Sequence, residues 1–313
     1  MRRTILKFFL PIGAAALIAG CGADIPETVP VTSGTADTPA VSVQEDGYIL
    51  RSDLLKCLYY DERDSNIYDQ RSCVYETDGE LLCGVAPHHL AAGHFIAGLY
   101  RTAAESRSDI GTVVLAAPMH YKSANTLCTS ARSWDTAYGV LENDAEITAL
   151  FHDSLGAAYD DDMTGYDHSA SSHIPFIKRY LPDAKISVLL VSPDAGSDFP
   201  EKLAELLYEV SQTKKCLFAF SIDFSHYLQP EQAEKHDAET LRAVTSGDTA
   251  AIGRFTDDNV DTPYCLGAFV RLSELMGRQI TAADHGNTYT VGSAPYDPTQ
   301  FSEGVTSYFV FLS

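Results

Sequence analysis

Four short apolar runs dominate the hydrophobic pattern of the chain, and polar or turn-forming residues follow each of them. The runs are Leu81–Ala86, Thr112–Ala117, Lys185–Val191 and Cys216–Ile222. Short apolar runs rich in branched residues are typical of strands that are buried on both faces of a sheet. A further apolar run, Ser307–Leu312, predicts one more strand.

Segments with apolar residues at helical spacing alternate with these runs. The predicted helices are a segment that begins near Leu90, Asp144–Ala158, Ala170–Tyr180, Phe199–Thr213, Pro230–Thr245, and a last helix opened by Thr262 and Pro263. Thr262 is a suitable N-cap, and proline is favoured in the first helical turn. Asp160–Tyr166 is acidic and contains glycine, which predicts a loop. The alternation predicts an α/β protein, a layered α/β/α domain with a central mixed, mostly parallel sheet.

The first residues of the chain have the pattern of an export signal. Arg2 and Arg3 precede an apolar stretch, and small residues stand just before Cys21. This order resembles a bacterial lipobox, so we predict that residues 1–20 are a signal peptide and that Cys21 is lipid-modified. The alternative is an ordinary signal peptide with an incidental cysteine. The prediction puts the protein outside the cytoplasm, anchored by lipid to the outer face of a bacterial membrane, with the lipid bilayer as a partner.

The residues that follow divide into a linker, an extension and a large domain. Residues 21–46 are rich in Thr, Pro, Val, Ser and acidic residues, which predicts a flexible tether behind the lipidated cysteine. Residues 47–80 predict an N-terminal extension or cap, with a short helix at Ser52–Tyr60. Residues 81–313 carry the alternating pattern and form the predicted main domain.

Charge and cysteine content narrow the class of function. The formal net charge is -21, which repels phosphate backbones and argues against nucleic-acid binding. The chain has seven cysteines and no CxxC motif. In an exported chain, Cys57 and Cys73 are the most plausible local disulfide pair, whereas Cys128 and Cys216 lie in apolar runs and are expected to be buried thiols.

Histidines mark the ends of three of the four apolar runs. His88 and His89 follow the first run, His120 follows the second, and Asp223 with His226 follows the fourth. A single histidine after a strand is most often an ordinary loop residue. Strand ends on one edge of a sheet converge, however, so the recurrence predicts a shared cavity with imidazole ligands for a metal ion. Cys265 adds a thiolate candidate at a helix N-terminus, where the helix dipole favours the charged form.

The motif order resembles the Memo family, also named AmmeMemoRadiSam system protein B, over about three quarters of the chain. The motifs that carry the resemblance are Val85-Ala-Pro-His88, Leu115-Ala-Ala-Pro-Met-His120, Asp167-His168-Ser169 with Ile174–Ile177, Ser221-Ile-Asp-Phe-Ser-His-Tyr227, and Cys265-Leu-Gly267. The resemblance implies a fold similar to that of class III extradiol dioxygenases.

The resemblance also implies a site for one transition metal ion. Its ligands would be His88, His120 and Cys265, with iron or copper favoured and zinc as a further candidate. Asp223 and His226 would orient ligands or move protons, and His168 would line the pocket. Two departures stand out: the extra His89 is an alternative ligand or pocket residue, and Leu266 separates Cys265 from the glycine that follows cysteine in the family.

Three functions are compatible with this set of residues. The first is a non-haem metal-dependent oxidoreductase whose ferrous or cuprous centre binds oxygen or a small aromatic or thiol substrate in the cleft at the strand ends. The second is a non-enzymatic lipoprotein that binds a metal ion or a peptide. The third, a zinc hydrolase, is least favoured because the chain has no HExxH motif. The small-molecule or peptide ligand is not identified by the sequence.

Overall fold

The computed structural model of the protein describes residues 48–49, 65–291 and 304–313. The predicted signal peptide, Cys21, the tether and the helix at Ser52–Tyr60 lie outside the described residues. Cys57 does too, while Cys73 is a free, exposed thiol. Within the described ranges, no helix is both long and apolar enough to cross a membrane.

The strands form one large sheet and one small one. In chain order they are β1 (Tyr48–Ile49), β2 (Cys83–Ala86), β3 (Thr112–Pro118), β4 (Leu127–Thr129), β5 (Ser133–Thr136), β6 (Gly139–Leu141), β7 (Ala158–Tyr159), β8 (Lys185–Val191), β9 (Cys216–Ser221), β10 (Thr281–Asn287) and β11 (Ser307–Leu312). The large sheet has eight strands in the order β10-β11-β2-β9-β3-β8-β4-β7, and the small sheet pairs β1, β5 and β6. At the centre of the large sheet, β2, β9, β3 and β8 are parallel neighbours.

The helices lie between these strands in the chain. They are α1 (Ser65–Arg71), α2 (Gly93–Ser106), α3 (Ala145–Leu155), α4 (Asp161–Tyr166), α5 (His168–Ser171), α6 (Ile174–Tyr180), α7 (Phe199–Ser211), α8 (Pro230–Ser246), α9 (Thr249–Ile252), α10 (Pro263–Leu275) and α11 (Thr288–Val291). A 3-10 turn at Leu90–Ala92 precedes α2.

Both faces of the large sheet are covered by helices. Along β3, Val113 and Leu115 belong to the apolar cluster that contains α2 and α6, whereas Val114 belongs to the cluster that contains α3, α7 and α10. Successive side chains of a strand point to opposite faces, so a strand covered on both sides must be apolar throughout. This arrangement confirms the predicted layered α/β/α fold with a mostly parallel sheet.

Two local predictions were wrong, and one strand was missed. Asp160–Tyr166 is not a loop, because Asp160 caps α4 by accepting the backbone N–H of Met163 at 2.9 Å. The helix predicted over Ala170–Tyr180 is two short helices, α5 and α6, with Pro175 in the first turn of the second. Strand β10 was not predicted, since its sequence is largely polar and it lies at the edge of the sheet.

The order of the central strands positions the site. Because β2, β9 and β3 are parallel neighbours, their carboxyl ends at Ala86, Ser221 and Pro118 meet on one edge of the sheet. Open α/β sheets bind ligands at this edge.

Candidate metal centre

Three histidines converge at the carboxyl edge of the sheet. His88 follows β2, His120 follows β3, and His168 is the first residue of α5. Each offers one ring nitrogen, and these three atoms all lie within 4.8 Å of one another. The rings of His88 and His120 meet edge to face with centroids 4.9 Å apart, and His168 stacks on His120 at 4.2 Å. The group could hold a metal ion.

The hydrogen bonds of His88 leave its Nε2 lone pair free. The Ser221 hydroxyl donates to the Ser169 carbonyl oxygen at 2.6 Å, so its oxygen accepts from His88 Nδ1–H at 3.0 Å. With the proton on Nδ1, Nε2 is an acceptor. Burial, followed by the charges of His120 and His168, lowers the pKa of His88 well below its ordinary value. His88 is therefore a neutral imidazole, the form that binds metals.

Asp167 orients His120 in the same way. Its carboxylate accepts the His120 backbone N–H at 2.7 Å and faces Nδ1 of the ring at 2.9 Å. Burial opposes ionisation of Asp167, but its bonds to His120 and the charges of His120 and His168 outweigh that effect and lower its pKa. A carboxylate on Nδ1–H fixes the ring and increases the basicity of the free nitrogen, as in many metal sites. Burial likewise lowers the pKa of His120, and Asp167 reverses this and raises it.

His168 completes the group from a more exposed position. Its side chain is 38% exposed, and its Nδ1 lies 3.9 Å from Asp167. Burial and the charge of His120 lower its pKa to about 4, so the ring is neutral near pH 7. His168 was predicted to line the pocket, and it lies beside His88 and His120, the two histidines predicted as ligands.

Two carboxyl groups face His88, that of the buried Asp223 and that of the partly buried Asp261. The Nε2 of His88 lies 3.6 Å from Asp223 Oδ2 and 3.5 Å from Asp261 Oδ2. Burial is the largest cause that raises the pKa of both acids, and the charge of Asp223 raises that of Asp261 further. Imidazole lone pairs and carboxylate oxygens are all acceptors, so together they fit a cation.

Two further predicted residues border the centre. The ring Nδ1 of His226 is buried and has no partner among the described residues, and burial lowers the pKa of this ring. His89 is exposed, and its Nδ1 is 2.6 Å from the Tyr308 hydroxyl. His89 does not belong to the group of three nitrogens, and its role as an alternative ligand stays a prediction.

Cys265 lies apart from that group of ligand atoms. It is fully buried in the first turn of α10, within the apolar cluster that includes Phe220 and Phe269. Its N–H donates to the Thr262 hydroxyl at 3.3 Å, which confirms Thr262 as the N-cap. Burial raises the pKa of the thiol to about 12, against the lowered value expected at a helix N-terminus. The role of Cys265 as a ligand stays a prediction.

Sequence reasoning did not select Asp261, and it did not find the supporting roles of Ser221 and Asp167. Ser221 and Asp167 lie inside the motifs that carry the family resemblance. The sequence does not reveal their hydrogen bonds to His88 and His120. Asp261 lies in a polar segment without periodicity. Its only signal is its place directly before the N-cap Thr262.

Comparison with known proteins gives matches over much of the chain. A family model described as Memo-like protein matches residues 75–279. A MEMO1 family protein of Methanosarcina mazei is 26% identical over 206 residues, which cover 62% of this chain and 74% of that protein. A MEMO1 family protein of Aquifex aeolicus is 30% identical over 183 residues, covering 53% and 66%. The crystal structure of uncharacterized protein JW3007 from Escherichia coli K12 matches this chain with a TM-score of 0.52 at 10% identity. The match covers 74% of this chain and 99% of that one, and it shows a similarity of fold.

Proposed function

Because this chain belongs to the Memo-like protein family, we propose that it binds one transition metal ion at His88, His120 and His168 and acts as a non-haem oxidoreductase. The membership agrees with the resemblance in the sequence motifs. Iron or copper is the favoured metal, and zinc is the alternative.

The observation that carries the proposal is the fixed orientation of two free imidazole lone pairs. Ser221 holds the proton of His88 on Nδ1, and Asp167 does the same for His120. Both rings therefore keep Nε2 free, and one nitrogen of each belongs to the group of ligand atoms that lie within 4.8 Å of one another. A site prepared in this way binds a metal ion with little cost of reorganisation.

The remaining residues supply proton transfer. A redox-active ion held here would supply electron transfer to or from oxygen. Asp223 is fully buried and holds the His88 backbone N–H at 3.1 Å, so its second oxygen is placed to accept a proton from a substrate hydroxyl or thiol. His226, with an unpartnered Nδ1 among the described residues, is placed to pass that proton toward solvent.

The test measures metal and oxygen consumption separately. The full-length chain is purified anaerobically in detergent, and bound iron, copper and zinc are measured for the wild type and for His120→Ala. We expect close to one metal ion per wild-type chain and an affinity lower by at least about 100-fold in the variant. Unchanged metal content in His120→Ala would refute the site.

Oxygen consumption with catechols and thiols then tests the oxidoreductase step. A loaded protein that consumes oxygen with one of these substrates, and loses this on Asp223→Asn with metal retained, supports the proposal. A metal-loaded chain that is inert toward oxygen would instead support the alternative, a non-enzymatic lipoprotein that binds a metal ion or peptide.

We also propose that the protein works outside the cytoplasm, tethered by lipid on Cys21. The support is the order of a basic start, an apolar stretch and small residues before Cys21. Labelling of cells with a fatty-acid probe should mark the wild type and leave Cys21→Ala unlabelled. Equal labelling of both would refute the anchor.

A further inference from the structure

We propose that His89 is a hydrogen-bond donor that binds an anionic oxygen of the ligand beside the metal centre, and that Tyr308 holds its ring for this role. The inference rests on the proposed metal site and deepens it, because it gives the small-molecule ligand a chemical class. That class is a molecule with a deprotonated hydroxyl or carboxyl group. His89 is then a binding residue and not a metal ligand.

The buried phenol of Tyr308 fixes the tautomer of His89. Tyr308 lies on β11, the strand next to β2, and its side chain is fully buried. Its hydroxyl is 2.6 Å from His89 Nδ1 and has no other hydrogen-bond partner in the described ranges. Burial, followed by the charges of Asp223 and Tyr227, raises the pKa of the phenol well above its ordinary value, so the phenol keeps its proton. The hydroxyl therefore donates to Nδ1.

This bond makes His89 the chemical opposite of the histidine before it. Because Nδ1 of His89 is an acceptor, the proton of the neutral ring lies on Nε2. In His88 and His120 the proton lies on Nδ1, and Nε2 is the free atom. His88 is buried and His89 is exposed. Two adjacent residues thus offer a lone pair for a cation and an N–H for an anion.

The ring of His89 lies close to the metal centre without belonging to it. Burial raises the pKa of Asp223, and the charge of His89 is the largest effect that opposes this rise. After burial and the charge of His120, His89 also contributes to the lowered pKa of His168. The ring is outside the group of ligand atoms that lie within 4.8 Å of one another. This placement suits contact with a bound ligand and not with the ion itself.

An anionic ligand needs a donor at this edge of the sheet because acceptors dominate it. His88 Nε2 and the carboxyl groups of Asp223 and Asp261 are all acceptors. A hydrogen bond from an N–H to a charged oxygen is about twice as strong as one between neutral groups. The Tyr308 hydroxyl already orients the His89 ring, so little rotational freedom is lost when the ligand binds.

His89 is also a place where this chain departs from the family motif. It is the extra histidine directly after Val85-Ala-Pro-His88. Its ring meets that of Tyr308 edge to face with centroids 5.8 Å apart, while the residue itself stays exposed. The side chain is therefore held on one side and open on the other, as a residue that selects ligands requires.

Two measurements on the full-length chain in detergent, loaded with zinc(II), test the inference without turnover. Because zinc(II) is diamagnetic, NMR of isotope-labelled histidines at about pH 8 reports the tautomer of His89. Its signal is assigned by its loss in His89→Gln. The second measurement is titration with para-nitrocatechol, whose phenolate absorbs visible light. The dimethyl ether of this probe has no ionisable oxygen and is the neutral control.

The variants separate the donor from the rest of the ring. His89→Phe removes the N–H, and His89→Gln replaces it with an amide N–H. Tyr308→Phe removes the hydroxyl that holds the ring. His152→Phe is the matched control, because His152 is an exposed histidine on α3. The exposed position of His89 makes its variants compatible with folding, which keeps the test decisive if Tyr308→Phe folds poorly.

We expect the Nε2–H tautomer of His89 in the wild type and an affinity for para-nitrocatechol that falls about 10-fold or more in His89→Phe. His89→Gln should stay within about 3-fold of the wild type, because it keeps a donor. Tyr308→Phe should lose about 3-fold to 10-fold, because the ring is no longer fixed. His152→Phe should bind like the wild type, and zinc content should be the same in all variants.

Four results overturn the inference. They are equal affinity in His89→Phe and the wild type, no preference of the zinc-loaded wild type for para-nitrocatechol over its dimethyl ether, a proton on Nδ1 of His89 in place of Nε2, and loss of zinc in His89→Phe. The last result would make His89 a metal ligand. The proposed metal site fails separately, if His120→Ala holds zinc as the wild type does.

Discussion

The two edges of the central sheet bury charged groups in opposite ways. At the amino edge, Asp144 accepts the Thr112 hydroxyl at 2.7 Å and the Lys214 ammonium at 3.3 Å, besides capping α3. Arg107, also buried there, donates to the Cys216 carbonyl at 2.9 Å. Every one of these charges meets a group of opposite character.

The carboxyl edge gathers groups of the same character. His88 Nε2, Asp223 and Asp261 are all acceptors, and burial raises the pKa of both acids. Such a cluster opposes folding unless a cation or protons occupy it. The difference teaches that buried charge alone does not mark a functional site. A set of acceptors that needs a cation or protons from outside the chain is the better mark of such a site.

The largest expected effect lies at the amino edge. Asp144→Ala removes the helix cap and leaves Lys214 without its buried partner, so it should lower the free energy of unfolding by about 3 kcal/mol. Urea denaturation of the full chain measures this. Glu146→Ala is the control, because Glu146 contacts the same ammonium at 2.8 Å but is exposed, and it should cost under about 0.5 kcal/mol. Equal losses in the two variants would mean that the amino-edge network is not a structural unit.

Opposite pH dependence at the two edges is the next expected effect. Burial raises the pKa of Asp144, but the Thr112 hydroxyl, the Ile147 N–H and Lys214 outweigh this and lower it. Its stabilisation is therefore lost as the pH falls below about 3.9. The pKa of Asp261 is raised, so its contribution is present below about 3.9 and is lost as the pH rises through its folded value.

The variant Asp261→Asn isolates the pH-dependent contribution of Asp261 to the stability of the metal-free protein. Its free energy of unfolding, relative to the wild type, should rise as the pH increases above about 3.9. His88, whose pKa burial lowers, lies 3.5 Å from Asp261, so the difference between the two chains reports the pair of groups together. A difference that stays flat with pH would show that Asp261 ionises freely in the folded state.

The strands and the places of two histidines of the candidate metal centre were predictable because the signal is local. A short apolar run can only be buried, and parallel neighbours bring their ends together, so the positions of His88 and His120 follow from Leu81–Ala86 and Thr112–Ala117. Strand β10 was missed for the complementary reason. An edge strand with one exposed face needs no apolar pattern, so Thr281–Asn287 looks like a loop until it pairs with β11.

The position of Asp261 beside His88 was not predictable because it depends on tertiary contacts. Nothing in its neighbours along the chain indicates burial, and its carboxyl group reaches the site only through the two backbone bonds to Asp223. Cys265 was selected on its residue type and its family resemblance. Where in a helix the thiol points is decided by packing, and here the helix buries it under the sheet.

The smallest expected effect concerns backbone strain, which also distinguishes the two edges. Tyr227, directly after His226, has φ +53°, and it is the one non-glycine residue with positive φ among those described. It is held there by the Leu228–Val305 bridge and by Gly304, where a Cβ would lie 2.5 Å from the Tyr227 carbonyl carbon. The ring is 70% exposed, so little packing offsets the strain.

Tyr227→Gly should therefore raise the free energy of unfolding by about 0.5 kcal/mol, since relief of strain slightly exceeds the added entropy of the unfolded chain. Tyr227→Ala is the matched control, because it removes the ring but keeps the Cβ and should give no gain. Urea denaturation of both variants measures the difference. If the alanine variant also gains free energy of unfolding, the effect comes from loss of the exposed ring and not from strain. The carboxyl edge would then differ from the amino edge in its charges alone.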